Sequence, residues 1–449
     1  MFDRNLETYL INWKNRLDRK PLVVRGARQV GKTFTIKKFG NECFDNIIYL
    51  NLERPEDLEL FDENISVQKF IELIQLKFNS SLIPGKSLLF IDEIQSSVVA
   101  MKMLRFFYED HTKLHVIAAG SLLEVKILKE GFSFPVGRVE FCYMFPVTFD
   151  EFLVATGNEK LLVKIKSFKI NSKIPLPLHK ICLEKFYEFL IVGGMPEAVA
   201  HYAEIKSFIE LDRIYDSIIT GYFDDVYKYS GVAKAKYVQH ILAHAAENAG
   251  ALVKYTNFGN SNYRSREIKD AMDVLERAMI IHFIRASYSV KIPLLHNLKK
   301  AAKLIFFDTG LVIYNIGLRE ALINHQTDIN SIYMGQLAEQ IAGQTLFSIF
   351  SNNRLAYWYR NKSGATSEID FIIHHKQNII PLEIKSGKTG SLKSLHIFMA
   401  ESKKKLAFRI YSGELNKQKI NYSDKSDNYE LISLPFYLLF RIKDFFELC

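Results

Sequence analysis

Four apolar runs stand out in the first third of the chain: PLVVRG (21–26), NIIYLNLE (46–53), SLLFIDEI (87–94) and KLHVIAAGS (113–121). Their apolar residues are largely consecutive rather than alternating, the pattern of short strands covered on both faces. Between them the apolar residues recur at helical spacing, and segments 1–20 and KTFTIKKFG (32–40) read as helices. Strands alternating with helices predict an α/β fold built on a doubly wound parallel sheet.

After FPVTFDEFL (145–153) the pattern turns mainly helical and stays so to about residue 325. Within that stretch a helix over 238–250, a second over 265–278 and the strand-like MIIHFI (279–284) follow the order of a winged-helix unit. From about residue 330 the pattern changes again. A helix beginning near Gly335 leads to LAYWYR (355–360), EIDFII (368–373) and IIPLEIKS (379–386), strand-like runs with turns between them. The expected organisation is a parallel-sheet domain over 1–155, a helical and winged-helix-like region over 156–325 and a mixed α/β module over 326–449.

A chain of 449 residues exceeds what one core usually organises, in line with several domains. With 48% hydrophobic and 24% charged residues it is not a disordered chain. The formal net charge of +9 favours polyanionic partners, nucleic acid among them, though lysine-rich usage in an AT-rich genome gives the same excess. Cys43, Cys142, Cys182 and Cys449 form no C-x-x-C pair, so neither a zinc site nor a disulfide framework is expected and a reducing cytoplasm fits. The opening residues carry charges throughout, unlike a secretion signal, and no apolar run approaches the roughly twenty residues of a membrane span. No membrane partner is expected.

The first strand runs into GARQVGKT (26–33), which matches G-x-x-x-x-G-K-[ST] in full, with a strand before it and a helix after. Gly26 and Gly31 allow the backbone to curl around phosphate oxygens. The main chain of Ala27, Arg28, Gln29 and Val30, with the helix N-terminus, then cradles the negative charge. Lys32 reaches the β and γ phosphates, and Thr33 is a ligand for Mg2+. LLFIDE (88–93) ends an apolar strand in two acids at the edge where such sheets bind ligands. Asp92 is expected to hold the metal through water, and Glu93 to position or deprotonate the attacking water. Ser121, at the end of the fourth strand, reads equally as a γ-phosphate sensor or a strand-end cap. Arg138, in PVGRVEF (135–141), is a candidate to reach a γ-phosphate in its own subunit or in a neighbour's. A homo-oligomer therefore stays open. ATP with Mg2+ is the expected ligand pair.

GARQVGKT, LLFIDEIQ, AAGSLLE followed by GR, and FPVTFDEFL together resemble the AAA-type P-loop ATPases of bacteria and archaea that carry a C-terminal domain of unknown function. The second half agrees, since EFLIVGGMPEAV (188–199) resembles the family's G-G-M-P-E signature and KLIFFDTGL (303–311) its F-x-D-T-G-L motif. The resemblance covers almost the whole chain, with the motifs in family order, and implies an ATP-hydrolysing enzyme.

The family's last module resembles the PD-(D/E)xK phosphodiesterase fold of restriction endonucleases. Asp370 opens one strand here, while Glu383 and Lys385 lie two apart on the next and so face the same way. Glu339 lies on the helix before them. The carboxylates of Glu339, Asp370 and Glu383 are candidate Mg2+ ligands, and Lys385 would orient water or steady the phosphate, the metal-assisted route to cleaving a phosphodiester. Ile369 stands where the eponymous proline would be. The same residues also fit a module that keeps the fold and only binds DNA or a protein.

Trp358 and Tyr359, beside Arg360, read first as core aromatics and second as base-stacking ones. Arg264, Arg266 and Lys269 suit phosphate contacts or the major groove, while winged helices also serve as packing or protein-interaction modules. His240 and His244 lack a third ligand. Two functional readings follow. One is an ATPase gating a nuclease-like domain that acts on or binds DNA. The other is a signalling or regulatory ATPase whose C-terminal domain is a non-catalytic binding module.

Overall fold

The computed structural model describes residues 2–121, 123, 135, 137–323, 331–350, 354–364, 366–387, 391–421 and 428–446. Leu122 and Glu124 of the AAGSLLE run, Val136 and Cys449 lie outside the described residues. Contacts divide the chain into two units. The first is residues 1–146 with 227–231 and 273–280, and the second is the remainder.

In the first unit the apolar runs are strands: β1 (Leu22–Arg25), β2 (Asn46–Asn51), β3 (Ser87–Asp92) and β4 (His115–Gly120). Every residue of β3 and β4 is buried, which is why these runs show no alternation. A further strand, β5 (Glu140–Tyr143), joins β1 at the sheet edge. All pairings are parallel, in the order β2-β3-β4-β1-β5. Helices α1 (Asn5–Asn15), α2 (Lys32–Cys43), α3 (Pro55–Leu58), α4 (Val67–Phe78) and α5 (Val98–Asp110) complete the unit. Ile48, Leu50, Leu89 and Ile91 of the sheet form one core with Phe70 and Ile74 of α4 and Leu104 and Phe107 of α5. A parallel sheet with βαβ crossovers is the α/β arrangement expected for residues 1–155.

The second unit opens with helices Phe149–Ala155, Glu159–Ser167, Leu176–Val192 and Pro196–Ile205. Its remaining strands are β6 (Leu252–Val253), β7 (Ile281–Ser287), β8 (His296–Asn297), β9 (Ala302–Phe306), β10 (Leu355–Tyr359), β11 (Glu368–His375), β12 (Asn378–Ile384), β13 (Leu406–Tyr411), β14 (Asn416–Asn421) and β15 (Asn428–Pro435). They form one sheet in the order β14-β15-β13-β12-β11-β10-β7-β9-β6, with β8 on β7. Where the sequence suggests a boundary near residue 325, the sheet is continuous. Residues 281–284 of β7 pair with β9 and residues 285–287 with β10, so one strand serves both halves.

Between helices Val232–Ala245 and Ser265–Arg277 lies the short β6, and β6, β9 and β7 make an antiparallel trio. That is the helix, helix, hairpin order read from the sequence, but its hairpin is built into the large sheet. Further on, helix Ser331–Ile349, β10, β11, β12, helix Lys393–Ser402 and β13 follow in an α-β-β-β-α-β order. β10, β11 and β12 are antiparallel neighbours, while β12 and β13 run parallel. Trp358 is 1% exposed and meets Phe398 edge-on with ring centroids 5.1 Å apart, the core placement favoured for it.

The two glycine motifs of the second half meet. Gly193, at φ 67° in the turn after helix Leu176–Val192, leaves no room for a Cβ, which would lie 2.5 Å from Asp308 Oδ1. Asp308 is fully buried at the N-cap of helix Thr309–Asn315 and accepts from the N–H groups of Gly194 at 2.5 Å and Leu311 at 3.0 Å. G-G-M-P-E and D-T-G-L are thus two sides of one packed turn.

Candidate functional sites

The loop after β1 is shaped by contacts that exclude side chains. A Cβ on Gly26 would lie 2.3 Å from the Met144 carbonyl oxygen. Gly31 takes φ 95° as the N-cap of α2, a conformation that favours glycine. Lys32 is the first residue of α2 and is 6% exposed, with Nζ donating to the carbonyls of Gly26 at 3.0 Å and Ala27 at 2.7 Å. Burial pulls its ammonium down to about 8, and the charges of Glu93 and Asp92 oppose that pull. Thr33 Oγ1 donates to Asp92 Oδ2 at 2.7 Å, joining the loop to the tip of β3. The Tyr49 hydroxyl donates to the same oxygen at 3.3 Å, and the Glu93 N–H to Oδ1 at 3.1 Å. Burial raises both the Asp92 and Glu93 carboxyls above their ordinary values. Glu93 holds φ 51°, unusual for a residue with a side chain, and accepts a hydrogen bond from Gln95 Nε2. A hydroxyl and a carboxylate within one hydrogen bond, beside a buried ammonium, form a hard-oxygen set that fits Mg2+ with a polyphosphate.

The second cluster lies on β9, β11, β12 and helix Ser331–Ile349. Lys303 of β9 is 2% exposed, ion-paired with Glu339 and 3.5 Å from Asp370 Oδ1. Gln340, next to Glu339, pins the helix to β9: its Nε2 donates to the Phe306 carbonyl at 2.6 Å, and its Oε1 accepts from the Phe306 N–H at 2.8 Å. Asp370 Oδ2 accepts the Ile384 N–H at 2.8 Å, so the two strands fix that carboxylate. Lys385 Nζ donates to Glu383 Oε1 at 2.7 Å, while the buried Glu383 Oε2 has no hydrogen-bond partner among the described residues. Burial raises the Glu339 and Glu383 carboxyls well above the carboxylate range. Asp370 pushes both further up, and Lys303 opposes. Glu368, two residues before Asp370 on β11, is raised by burial as well. Among the described residues no three His, Cys, Asp or Glu side chains converge as a metal site. Glu339 is instead committed to Lys303. Asp370 and Glu383, whose charges repel and one of whose oxygens is orphaned, remain as a two-carboxylate set suited to a hard cation.

Residues 18–153 match the AAA domain family. These residues form an AAA-type domain. Residues 183–322 match a Domain of unknown function (DUF8612), and residues 334–437 another (DUF4143). No curated protein matches the chain. Among solved structures, the Aeropyrum pernix Orc1 protein in complex with DNA is similar at 12% identity. The match covers 72% of this chain and 94% of that one, with a TM-score of 0.31. The Thermotoga maritima RuvB Holliday junction branch migration motor is similar at 13% identity over 66% of this chain and 93% of that one, with a TM-score of 0.28.

Within the AAA domain, Ser121 is buried immediately after β4. Since β4 separates β1 from β3, that residue belongs to the same sheet edge as the loop and the acids. Arg138 is not brought there. It precedes β5, which runs parallel to β1, and so lies at the opposite edge of the sheet. Its guanidinium, 44% exposed, pairs with Glu109 at 3.0 Å. Two residues escaped sequence reasoning. Gln95, inside LLFIDEIQ, packs against Gly120, where a Cβ would lie 2.2 Å from its Oε1, and holds Glu93. Lys303 opens KLIFFDTGL, where nothing local marks it as the cation of a carboxylate cluster. A lysine at the head of an apolar strand was the only signal.

Proposed function

We propose that this protein hydrolyses ATP at its AAA domain and that its C-terminal module, residues 331–446, acts on nucleic-acid phosphodiesters. The observation that carries the ATPase reading is the Thr33–Asp92 hydrogen bond beside Lys32, which puts a metal-ligand pair and a phosphate-binding cation at one point. Thr33 and Asp92 would hold Mg2+, which would supply neutralisation of the polyphosphate charge. The chain's own groups do the rest. Loop N–H groups and the α2 N-terminus bind phosphate oxygens. Lys32, with its ammonium near 8, is charged at neutral pH and steadies the γ-phosphate. Glu93, oriented by Gln95, holds the attacking water and accepts its proton. Steady-state ATP hydrolysis by wild type and Lys32→Ala tests this, and turnover that survives the substitution removes the loop from the reaction.

In the C-terminal module the α-β-β-β-α-β order and the trio Asp370, Glu383 and Lys385 support a PD-(D/E)xK-like centre. A cation at Asp370 and Glu383 would supply Lewis-acid activation of the phosphate. Lys385 would orient the water. A second reading, in which the module binds nucleic acid or a partner without cutting and the ATPase is regulatory, is favoured by the Lys303 ion pairs that tie up Glu339 and Asp370. Supercoiled plasmid incubated with Mg2+ and either wild type or Asp370→Ala decides between them. Nicking that Asp370→Ala abolishes supports cleavage, and intact plasmid with both proteins supports binding alone.

A further inference from the structure

Beside the carboxylate cluster lies an open cavity of about 540 Å3 to which no role has been assigned. Its lining is basic. Lys254 follows β6, Lys299 and Lys300 precede β9, and Arg360 and Lys362 follow β10. Lys254, Lys299 and Lys300 are exposed and make no ion pair among the described residues. The Lys300 ammonium sits 5.0 Å from the Tyr359 ring centroid, and the Tyr359 hydroxyl accepts a hydrogen bond from Asn297 at 2.7 Å, so this cation has a fixed seat. Arg360 and Lys362 share one acid, Glu401, at 2.8 and 3.1 Å. Five cations against Glu368 and Glu401 leave an excess of three positive charges (5 − 2 = 3) around one opening. Thr366 and Ser367 add hydroxyls to the same wall.

The cavity is joined to the carboxylates by one strand. Glu368 lines it, pairs in register with Tyr359 and shares a face of β11 with Asp370. Two residues along a strand span about 6–7 Å. The Glu368 side of the cavity is therefore about one nucleotide step from Asp370. A volume of this size accepts one or two nucleotides and is too small to enclose a duplex.

We propose that this cavity is the binding channel for a single-stranded phosphodiester chain, gripped through its phosphates by Lys254, Lys299 and Lys300 and led along β11 to Asp370. The inference rests on the phosphodiester reading of the module but not on cleavage. The positive excess serves affinity, the tyrosine orients Lys300, and neither reads sequence. Free polyphosphate shares this chemistry, so the test separates the two sources.

The experiment uses the full chain carrying Lys32→Ala, which silences the nucleotide loop, and a fluorescent oligothymidylate followed by anisotropy at salt from about 50 to 200 mM. Replacing Lys254, Lys299 and Lys300 together by Ala should weaken binding at least about tenfold. It should also flatten the log–log salt slope by about 2, at roughly 0.7 per lysine for a single strand. The exposed lysines can be removed without loss of fold, which an unchanged melting temperature verifies. Equal affinity and slope in the triple variant, or no oligonucleotide binding by the Lys32→Ala parent, overturns the proposal. Competition by tripolyphosphate at concentrations matching oligonucleotide phosphate, with longer strands no tighter than short ones, overturns the polymer assignment. Asp370→Ala separates the two claims. If it binds like its parent while plasmid cutting is lost, both stand. If wild type never cuts yet binds through the lysines, only the cleavage reading falls.

Discussion

Lys303 is the group whose removal says most about the C-terminal cluster. Its ammonium is 2% exposed, paired with Glu339 and 3.5 Å from Asp370 Oδ1. At an effective dielectric of about 20, a pair at that distance attracts by about 5 kcal/mol, against which the burial of the ammonium must be set. Replacing Lys303 with Met keeps most of the volume and leaves two carboxylates without their cation, which costs about 3–5 kcal/mol in comparable buried pairs. Glu339 is 25% and Asp370 17% exposed, so solvent screens part of this and the lower figure, about 3 kcal/mol, is expected. The chain has two tryptophans, Trp13 in the first unit and Trp358 on β10, so in a Trp13→Phe background urea unfolding followed by fluorescence reports the second unit. The loss should depend on pH. The lysine itself stays charged up to its unfolded value of 10.5 and above, so its contribution is constant through neutrality. Glu339 and Glu383, raised by burial, bind protons in the folded state that the unfolded chain has released above 4.5, so stability falls as pH rises through neutrality. Without Lys303 the carboxyls rise further, and the variant should lose more at pH 8 than at pH 6. Adding Glu339→Gln to Lys303→Met should recover part of the stability. A loss below about 1 kcal/mol, no change with pH, and no recovery in the double variant would together refute a charged, coupled cluster.

Three further outcomes are expected. Gly26→Ala places a Cβ 2.3 Å from the Met144 carbonyl oxygen, so ATP-induced thermal stabilisation should disappear and turnover with it, while the second unit's urea transition stays in place. Glu93→Gln should keep that ATP-induced stabilisation and lower hydrolysis by about 100-fold or more, the usual share of a positioned base. Asp308 is raised by burial from 3.8 to about 6, and the N–H donors of Gly194, Leu311 and Gly310 hold it from rising further. The folded state therefore keeps a proton that the unfolded chain has lost between those values, so this group's contribution falls by about 3 kcal/mol as pH rises from 4 to above 6. The stability of wild type relative to Asp308→Asn, read by urea unfolding, should shrink by that amount over the same range.

What could be read in the sequence follows from how local each constraint is. GARQVGKT is legible because its chemistry needs a positive φ at Gly31 and a close backbone approach at Gly26, and glycine can be seen letter by letter. β3 and β4 are legible because burial on both faces forces an unbroken apolar run. β5 is not. EFCY sits at an edge, exposes two of its four residues and has no periodicity to find. β14, NKQKIN, is polar because it pairs on one side only, with β15. The continuity of the large sheet through residue 325 rests on β7 pairing with β10 some seventy residues away, an event with no local trace.

The candidate sites divide along the same line, and Arg138 and Lys303 mark the two ways a residue escapes. Arg138 is the arginine of a GR pair just before EFCY, and only strand direction decides its place. Because β5 runs parallel to β1, a residue that precedes β5 stands at the edge opposite the loop that follows β1. A parallel sheet puts what comes before a strand and what comes after it at opposite edges, so Arg138 cannot be placed until the strand is recognised, and EFCY hides it. Lys303 shows the reverse. Its neighbours in sequence are apolar, and its partners Glu339 and Asp370 lie 36 and 67 residues away. Burying an ammonium there costs several kcal/mol unless acids meet it. A lysine inside an otherwise buried strand is thus itself a statement that carboxylates converge on it. Read that way, the KL of KLIFFDTGL says that acids must meet Lys303, while only the fold says that they are Glu339 and Asp370.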